Sequence, residues 1–229
     1  MKHENLLFSS VIFFLIGCTV FLLLLGIDQR TNRKISKSTY DPNKPCIALT
    51  FDDGPNPQYT PQILDLLYTE QTRATFFVVG EKVEQNKQII LEMYNSGHEI
   101  GNHTFSHQDL TKLSQKQLLQ EIKQTEEEIN KILPTYTLHY VRPPYGHYTE
   151  AIKKNMDQTM ILWTIDSHDW EMIDAETIAH NVIDNVKDQD IIVFHDNNEE
   201  TIQALKIIIP KLKERGFQFV TLSQLFAKQ

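Results

Sequence analysis

From Cys46 onward, apolar runs of strand length alternate with stretches of helical periodicity, and this alternation limits the fold more than any other feature. Strand candidates fall at Cys46–Phe51, Ala74–Val79, His98–Asn102, Leu138–Arg142, Met160–Thr164, Asp190–Phe194 and Phe217–Val220. Helix candidates lie between them, near Pro61–Glu70, Lys82–Ser96, Gln115–Leu133, Thr149–Met156, Ala175–Val186 and Thr201–Arg215. Strands joined through helices run parallel. About seven of them therefore imply an α/β fold with a parallel sheet, either open and doubly wound or closed as a barrel. The punctuation agrees. Ser114 stands where it caps a helix in which Leu118, Leu119, Ile122 and Ile129 recur at helical spacing. Gly97 and Gly216 follow helix ends, as C-terminal caps do.

The unusual polar residues fall at the ends of these strands. Asp52 and Asp53 follow the first, His103 and His107 the third, and Arg142 to Gly146 the fourth. Asp166 to Trp170 follow the fifth and His195 the sixth. Parallel α/β folds gather their chemistry at the carboxyl ends of the strands, where the loops converge. Five polar clusters in that register point to one shared pocket.

The residue types suggest metal-assisted hydrolysis. His103 and His107 with one aspartate offer three ligands to a divalent ion such as zinc and leave a position for water, as a catalytic site requires. Read alone, His-x-x-x-His is as readily a pair of solvated imidazoles. Two adjacent carboxylates repel, so an ion on one frees the other to act as a base. Asp52-Asp53-Gly54-Pro55 also reads as a plain turn. Arg142-Pro143-Pro144-Tyr145-Gly146 reads as a stiff, extended segment outside any helix, and its arginine suits a carboxylate or a surface ion pair. His195, with Asp169 from the neighbouring strand end, is either a general acid or a structural histidine.

The N-terminus has a different character. Leu6 to Ile27 carries no charge, and at about 1.5 Å per residue it is long enough to cross a bilayer core of roughly 30 Å. We read residues 1–28 as a signal anchor, 29–44 as a polar linker and 45–229 as the catalytic domain. This makes the chain a single-pass protein of the cell membrane with its catalytic domain outside; secretion after cleavage is the second reading. Leu15-Ile16-Gly17-Cys18 has the form of a lipoprotein processing box, yet Thr19 to Ile27 stay apolar where a tether begins. Arg30, Arg33, Lys34 and Lys37 follow the segment, a bias toward a cytoplasmic domain that long translocated domains override. A net charge of -8 without a basic stripe argues against a nucleic-acid partner. Cys18 and Cys46 lie too differently in the chain to pair.

Taken together, Thr50-Phe51-Asp52-Asp53-Gly54-Pro55, His103-Thr104-x-x-His107, Arg142-Pro143-Pro144-Tyr145-Gly146, Asp166-Ser167-x-Asp169-Trp170 and Val193-x-His195 resemble, in order, the motifs of the polysaccharide deacetylases, carbohydrate esterase family 4, which share the NodB homology domain. The resemblance covers residues 45–226. It implies a distorted (β/α) barrel and metal-dependent removal of acetyl groups from N-acetylhexosamine in a cell-wall or extracellular polysaccharide, peptidoglycan or chitin-like. It implies Asp52 as base; Asp53, His103 and His107 as ligands of Zn2+, with Co2+, Ni2+ or Mn2+ serving in some members; and Arg142 as the group orienting Asp52. Asp169 would tune His195, the acid. The Tyr145 backbone N–H would stabilise the oxyanion, and Trp170 and Val193 would line the acetate pocket. Val193 stands where the family usually has leucine. An O-acetyl esterase acting on xylan and a non-catalytic carbohydrate-binding barrel are the rival readings. Tyr59, Phe105 and Tyr148 are candidate sugar-stacking aromatics.

Overall fold

The computed structural model describes residues 33–35, 41, 43–154, 156–171 and 173–227. Its strands are β1 (Cys46–Gly54), β2 (Thr75–Val78), β3 (Glu99–Asn102), β4 (Tyr140–Val141), β5 (Thr159–Met160), β6 (Ile165–Asp166), β7 (Ile191–His195) and β8 (Gln218–Phe219). They form one sheet in the order β5-β4-β3-β2-β1-β7-β6, with β8 paired to the start of β1, and every pairing is parallel.

β1 is the axis of the fold. Parallel strands covered on both faces read as continuous apolar runs, and Cys46 to Phe51 are buried without alternation. Phe51 stacks on Phe76 of β2 at 5.0 Å and on Phe194 of β7 at 5.7 Å, which ties the three central strands together. The helices that cover the sheet are α1 (Thr60–Thr69), α2 (Lys87–Ser96), α3 (Gln115–Ile132), α4 (Glu150–Lys154), α5 (Ala175–Ile183), α6 (Glu199–Glu214) and α7 (Leu222–Phe226). Ile202, Leu205, Ile209 and Leu212 make one buried stripe on α6, and Ile178 and Val182 do the same on α5. Ser114 caps α3 in a capping box with Gln117, while Gly97 and Gly216 are left-handed at φ +86° and +87°.

Four expectations need correction. Met160–Thr164 is not one strand. Thr159–Met160 is β5 beside β4, Ile165–Asp166 is β6 beside β7, and the residues between them bridge the two edges of the curled sheet. Ile161 N donates to Val141 O and Thr164 N to Ile191 O, both at 2.9 Å, so each end of this segment continues the pairing of its own edge strand, and the curled sheet is a half-barrel whose edge strands β5 and β6 do not pair. The helix expected over Lys82–Ser96 is two 3-10 turns, Gly80–Lys82 and Glu84–Asn86, followed by α2. The Thr149–Met156 helix shortens to α4. Pro144–Gly146, expected to be extended, is a 3-10 turn with Tyr145 at φ 60°.

The polar stretch before the domain is partly fastened to it. Ile35 is buried and its N–H donates to Ser96 O; Arg33 pairs with Asp65 and lies over the Tyr68 ring. Asp41 and Gln218 exchange two hydrogen bonds of 2.9 and 2.8 Å. Among the described residues no helix is long and apolar enough to cross a membrane. The expected anchor at residues 1–28, including Cys18, lies outside the described residues. Cys46 is buried and is in no disulfide among the described residues.

Candidate active site

The strand ends bring the sequence candidates together. A cavity of about 400 Å³ is lined by Asp52, Asp53, His103, His107, Tyr145, Trp163, Asp166, Trp170, Val193, His195 and Asn197. Arg142 and Asp169 stand directly behind it, each bonded to a lining residue.

Asp52 ends the continuous buried run of β1, only 3% exposed. Its Oδ1 accepts from Arg142 Nη1 at 2.8 Å. Arg142 is fully buried, which lowers its pKa, and the Asp52 carboxylate beside it works against that shift. The same guanidinium donates to Thr50 Oγ1 at 2.7 Å, Ile161 O at 3.3 Å and Leu162 O at 2.9 Å, and lies 4.2 Å over the Phe77 ring. It satisfies two carbonyls of the segment between β5 and β6 while fixing one carboxylate oxygen.

Asp53, His103 and His107 present one oxygen and two nitrogens within 4.8 Å of one another. Asp53 Oδ1 lies 3.0 Å from His107 Nε2 and 3.4 Å from His103 Nε2. Tetrahedral ligands about 2.1 Å from one ion stand roughly 3.4 Å apart, so these donors are spaced as a ligand set. Chemistry agrees. His103 Nδ1 bonds to Arg142 O at 2.8 Å, so its Nδ1 carries hydrogen and its Nε2 lone pair faces the triad when neutral. Asp53 Oδ1 is buried without a conventional hydrogen bond, as an oxygen awaiting a cation is. Burial works against its charge, but the two imidazoles outweigh this and hold the carboxyl well below the usual range. The residues fit a divalent metal.

On the other side, the β1–β7 register sets Asp52 opposite His195. His195 Nδ1 bonds to Asp169 Oδ1 at 2.8 Å; Asp169 Oδ2 accepts from His195 N at 2.7 Å and from Thr201 Oγ1 at 2.6 Å. Burial lowers the imidazole pKa, but the Asp169 hydrogen bond and charge, with Asp52 and Asp53 beyond, push it up to about 9. The ring is therefore an imidazolium at neutral pH.

Aromatics frame the mouth: Tyr145 is 61% exposed and Trp170 54%, with Trp163 deeper. Tyr59, Phe105 and Tyr148 do not line the cavity. Trp163 escaped sequence reading because it sat inside an apolar run, Met160–Thr164, that passed for a strand.

Asp196 and Glu121 were also missed. Asp196, 1% exposed, accepts from Thr60 Oγ1 and packs on Gly54, where a Cβ would meet its Oδ2 at 2.1 Å. Burial raises its carboxyl to about 7. The available signal was an aspartate directly after the strand-end histidine.

A curled parallel sheet that gathers an arginine-paired carboxylate, a carboxylate-held imidazolium and a three-donor metal set at its strand ends is equipped as a hydrolytic centre. Family comparison agrees: residues 39–161 match the polysaccharide deacetylase family model. The chain belongs to the polysaccharide deacetylase family. It is 42% identical over 189 residues to a peptidoglycan-N-acetylmuramic acid deacetylase of Bacillus subtilis (strain 168), covering 82% of this chain but only 40% of the relative. It is 40% identical to a peptidoglycan-N-acetylglucosamine deacetylase of Bacillus cereus, covering 80% of this chain and 69% of the relative. Among solved structures, a family 4 acetyl xylan esterase of Clostridium thermocellum in complex with a cobalt ion is 41% identical, with a TM-score of 0.76 over 80% of this chain and 90% of that one.

Proposed function

We propose that this protein is a metal-dependent N-deacetylase that hydrolyses N-acetyl groups on the hexosamines of a cell-wall polysaccharide, peptidoglycan in the first instance, and releases acetate. One observation carries the reading: Asp52 and His195 face each other across adjacent strands beside the ligand triad, each held by a partner of opposite charge. The relatives named for peptidoglycan support the choice of polymer.

Asp53, His103 and His107 would hold the ion, and two imidazoles with a carboxylate suit zinc. When bound, such an ion polarises the acetyl carbonyl and lowers the pKa of a nearby water. Asp52, oriented by Arg142, takes the proton from the water whose oxygen joins the carbonyl carbon. The Tyr145 backbone N–H donates to the resulting oxyanion. Trp163, Trp170 and Val193 enclose the acetyl methyl. His195 then delivers its Nε2 proton to the amide nitrogen as the C–N bond breaks, leaving a free amine and acetate; Asp169 keeps the ring charged until that transfer.

Purified protein loaded with zinc is expected to release acetate from peptidoglycan or N-acetylglucosamine oligomers. Absence of acetate from both at full occupancy refutes the reading. The 41% identity to an acetyl xylan esterase favours a second substrate class, because the same groups cleave an ester. Faster release from acetylated xylan than from either amino sugar would establish it. We also propose that the apolar run Leu6–Ile27 anchors the enzyme in the cell membrane with this domain outside. Recovery of the full chain in the carbonate-soluble fraction would refute that.

A further inference from the structure

We infer that Glu121 is a positioning residue that holds the His103–His107 loop in its ligating shape before any ion arrives; this rests on reading Asp53, His103 and His107 as the ligand set. The loop is costly by itself. Thr104 and His107 sit at φ 67° and 55°, a region that side-chain-bearing residues avoid, most of all a β-branched one. The surroundings must therefore over-determine it.

Its carbonyls at Thr104 and Phe105 accept from Gly80 N and Glu81 N, each at 2.9 Å. Thr104 N donates to Asn102 Oδ1 at 2.8 Å. Four further donors converge on one side chain. Glu121 Oε2 accepts from Phe105 N at 3.0 Å and Ser106 N at 2.7 Å, and Oε1 accepts from Ser106 Oγ at 2.7 Å and Gln108 Nε2 at 3.4 Å. Glu121 is 8% exposed on α3, whose Ile122 carbonyl accepts from Asn102 Nδ2 at 3.0 Å. One helix thus grips both the strand end before His103 and the turn before His107. A carboxylate suits this place because it accepts with both oxygens and donates with neither.

The test compares Glu121→Leu, which fills the volume without accepting bonds, with Glu121→Gln, which keeps an acceptor oxygen for the two backbone N–H groups and a donor for the Ser106 hydroxyl. Glu121→Leu is expected to weaken zinc affinity about 10–100-fold, the range for groups that orient ligands. Acetate release should then recover with excess zinc. Glu121→Gln should stay within about threefold of wild type. Glu121→Leu that folds and binds zinc like wild type overturns the proposal. Amide exchange in metal-free wild-type protein supplies a second arm that needs no variant. Phe105 and Ser106 amides are expected to be protected like those of α3, and fast exchange there overturns the proposal equally. Protected amides in a wild-type protein that does not bind zinc would instead overturn the metal reading.

Discussion

Replacing Asp169 by Asn tests whether His195 is an acid by environment. In the native chain Asp169 contributes both a 2.8 Å bond to the imidazole Nδ1 and the largest single charge among those that lift its pKa from 6.5 to about 9. At pH 7.5 that pKa leaves roughly 97% of the rings protonated, whereas 6.5 leaves about 9%, a tenfold loss of active form. A second effect adds to it. The introduced amide turns a donor toward Nδ1, which then accepts, and the ring becomes a neutral imidazole with its hydrogen on Nε2. A neutral ring is a far weaker acid than imidazolium. Loss of general acid catalysis is worth about 10²–10⁴ in rate, so kcat at pH 7.5 should fall within that range.

The assay is the pH dependence of kcat for acetate release, with both proteins at equal zinc occupancy. A bound dication lowers both values, so the difference between the two profiles is the readout. The alkaline limb should move down by about two units in Asp169→Asn, with activity partly regained on acidification. The remaining side-chain oxygen still accepts from His195 N and Thr201 Oγ1, so the fold should survive. An unmoved alkaline limb with kcat within twofold of wild type would refute the assignment of His195 as the charged acid.

Other outcomes follow from the same geometry. Asp52→Asn should abolish turnover while zinc binding, measured by calorimetry, stays near native, since Asp53 and the two histidines are untouched; lost zinc binding would mean the two aspartates exchange roles. Arg142→Met leaves a buried carboxylate unpaired and two carbonyls of the segment between β5 and β6 unsatisfied, and should cost about 3–5 kcal/mol in denaturant unfolding. His195, at about 9 folded against 6.5 unfolded, contributes stability that is complete below pH 6.5 and is lost as pH rises through 9; thermal melts of metal-free protein across that window should show the decline, and Asp169→Asn should flatten it. Gly54→Ala should destabilise the protein because the new methyl meets the Asp196 carboxylate, and Asp196→Ala in the same chain should relieve much of that loss in the same melts.

What the sequence disclosed was local. Cys46-Ile47-Ala48-Leu49 declares a doubly buried strand, and Asp52 and Asp53 follow it directly, so their placement needed only the strand's end. Residues 161–164 defeated the same reading. An apolar run looks alike whether it pairs along a ladder or crosses between two sheet edges, and its carbonyls are satisfied by Arg142, a residue about twenty positions earlier. Tyr145 likewise takes a left-handed φ inside a Pro-Pro-Tyr-Gly stretch whose prolines suggested only extension. Glu121 was invisible for a different reason. It lies among the glutamines and glutamates of α3, where a solvated face is expected, and only the fold turns it inward against a loop some fifteen residues back.

The acid and base depend on register as well as residue type. Asp52 and His195 are directly opposite in the β1–β7 ladder, which also pairs Phe51 with Phe194 and Thr50 with Val193. A slip of one residue would turn every side chain of β7 to the other face of the sheet, burying the imidazole and expelling Phe194 from its stack on Phe51. Hydrophobic packing therefore enforces the alignment that the chemistry needs. Each partner then fixes one member from outside the pair, Arg142 from the end of β4 and Asp169 from the turn after β6. Two groups held this way stand in one pocket, each with its own oppositely charged partner, as a base and an acid that act on the same bond in turn must.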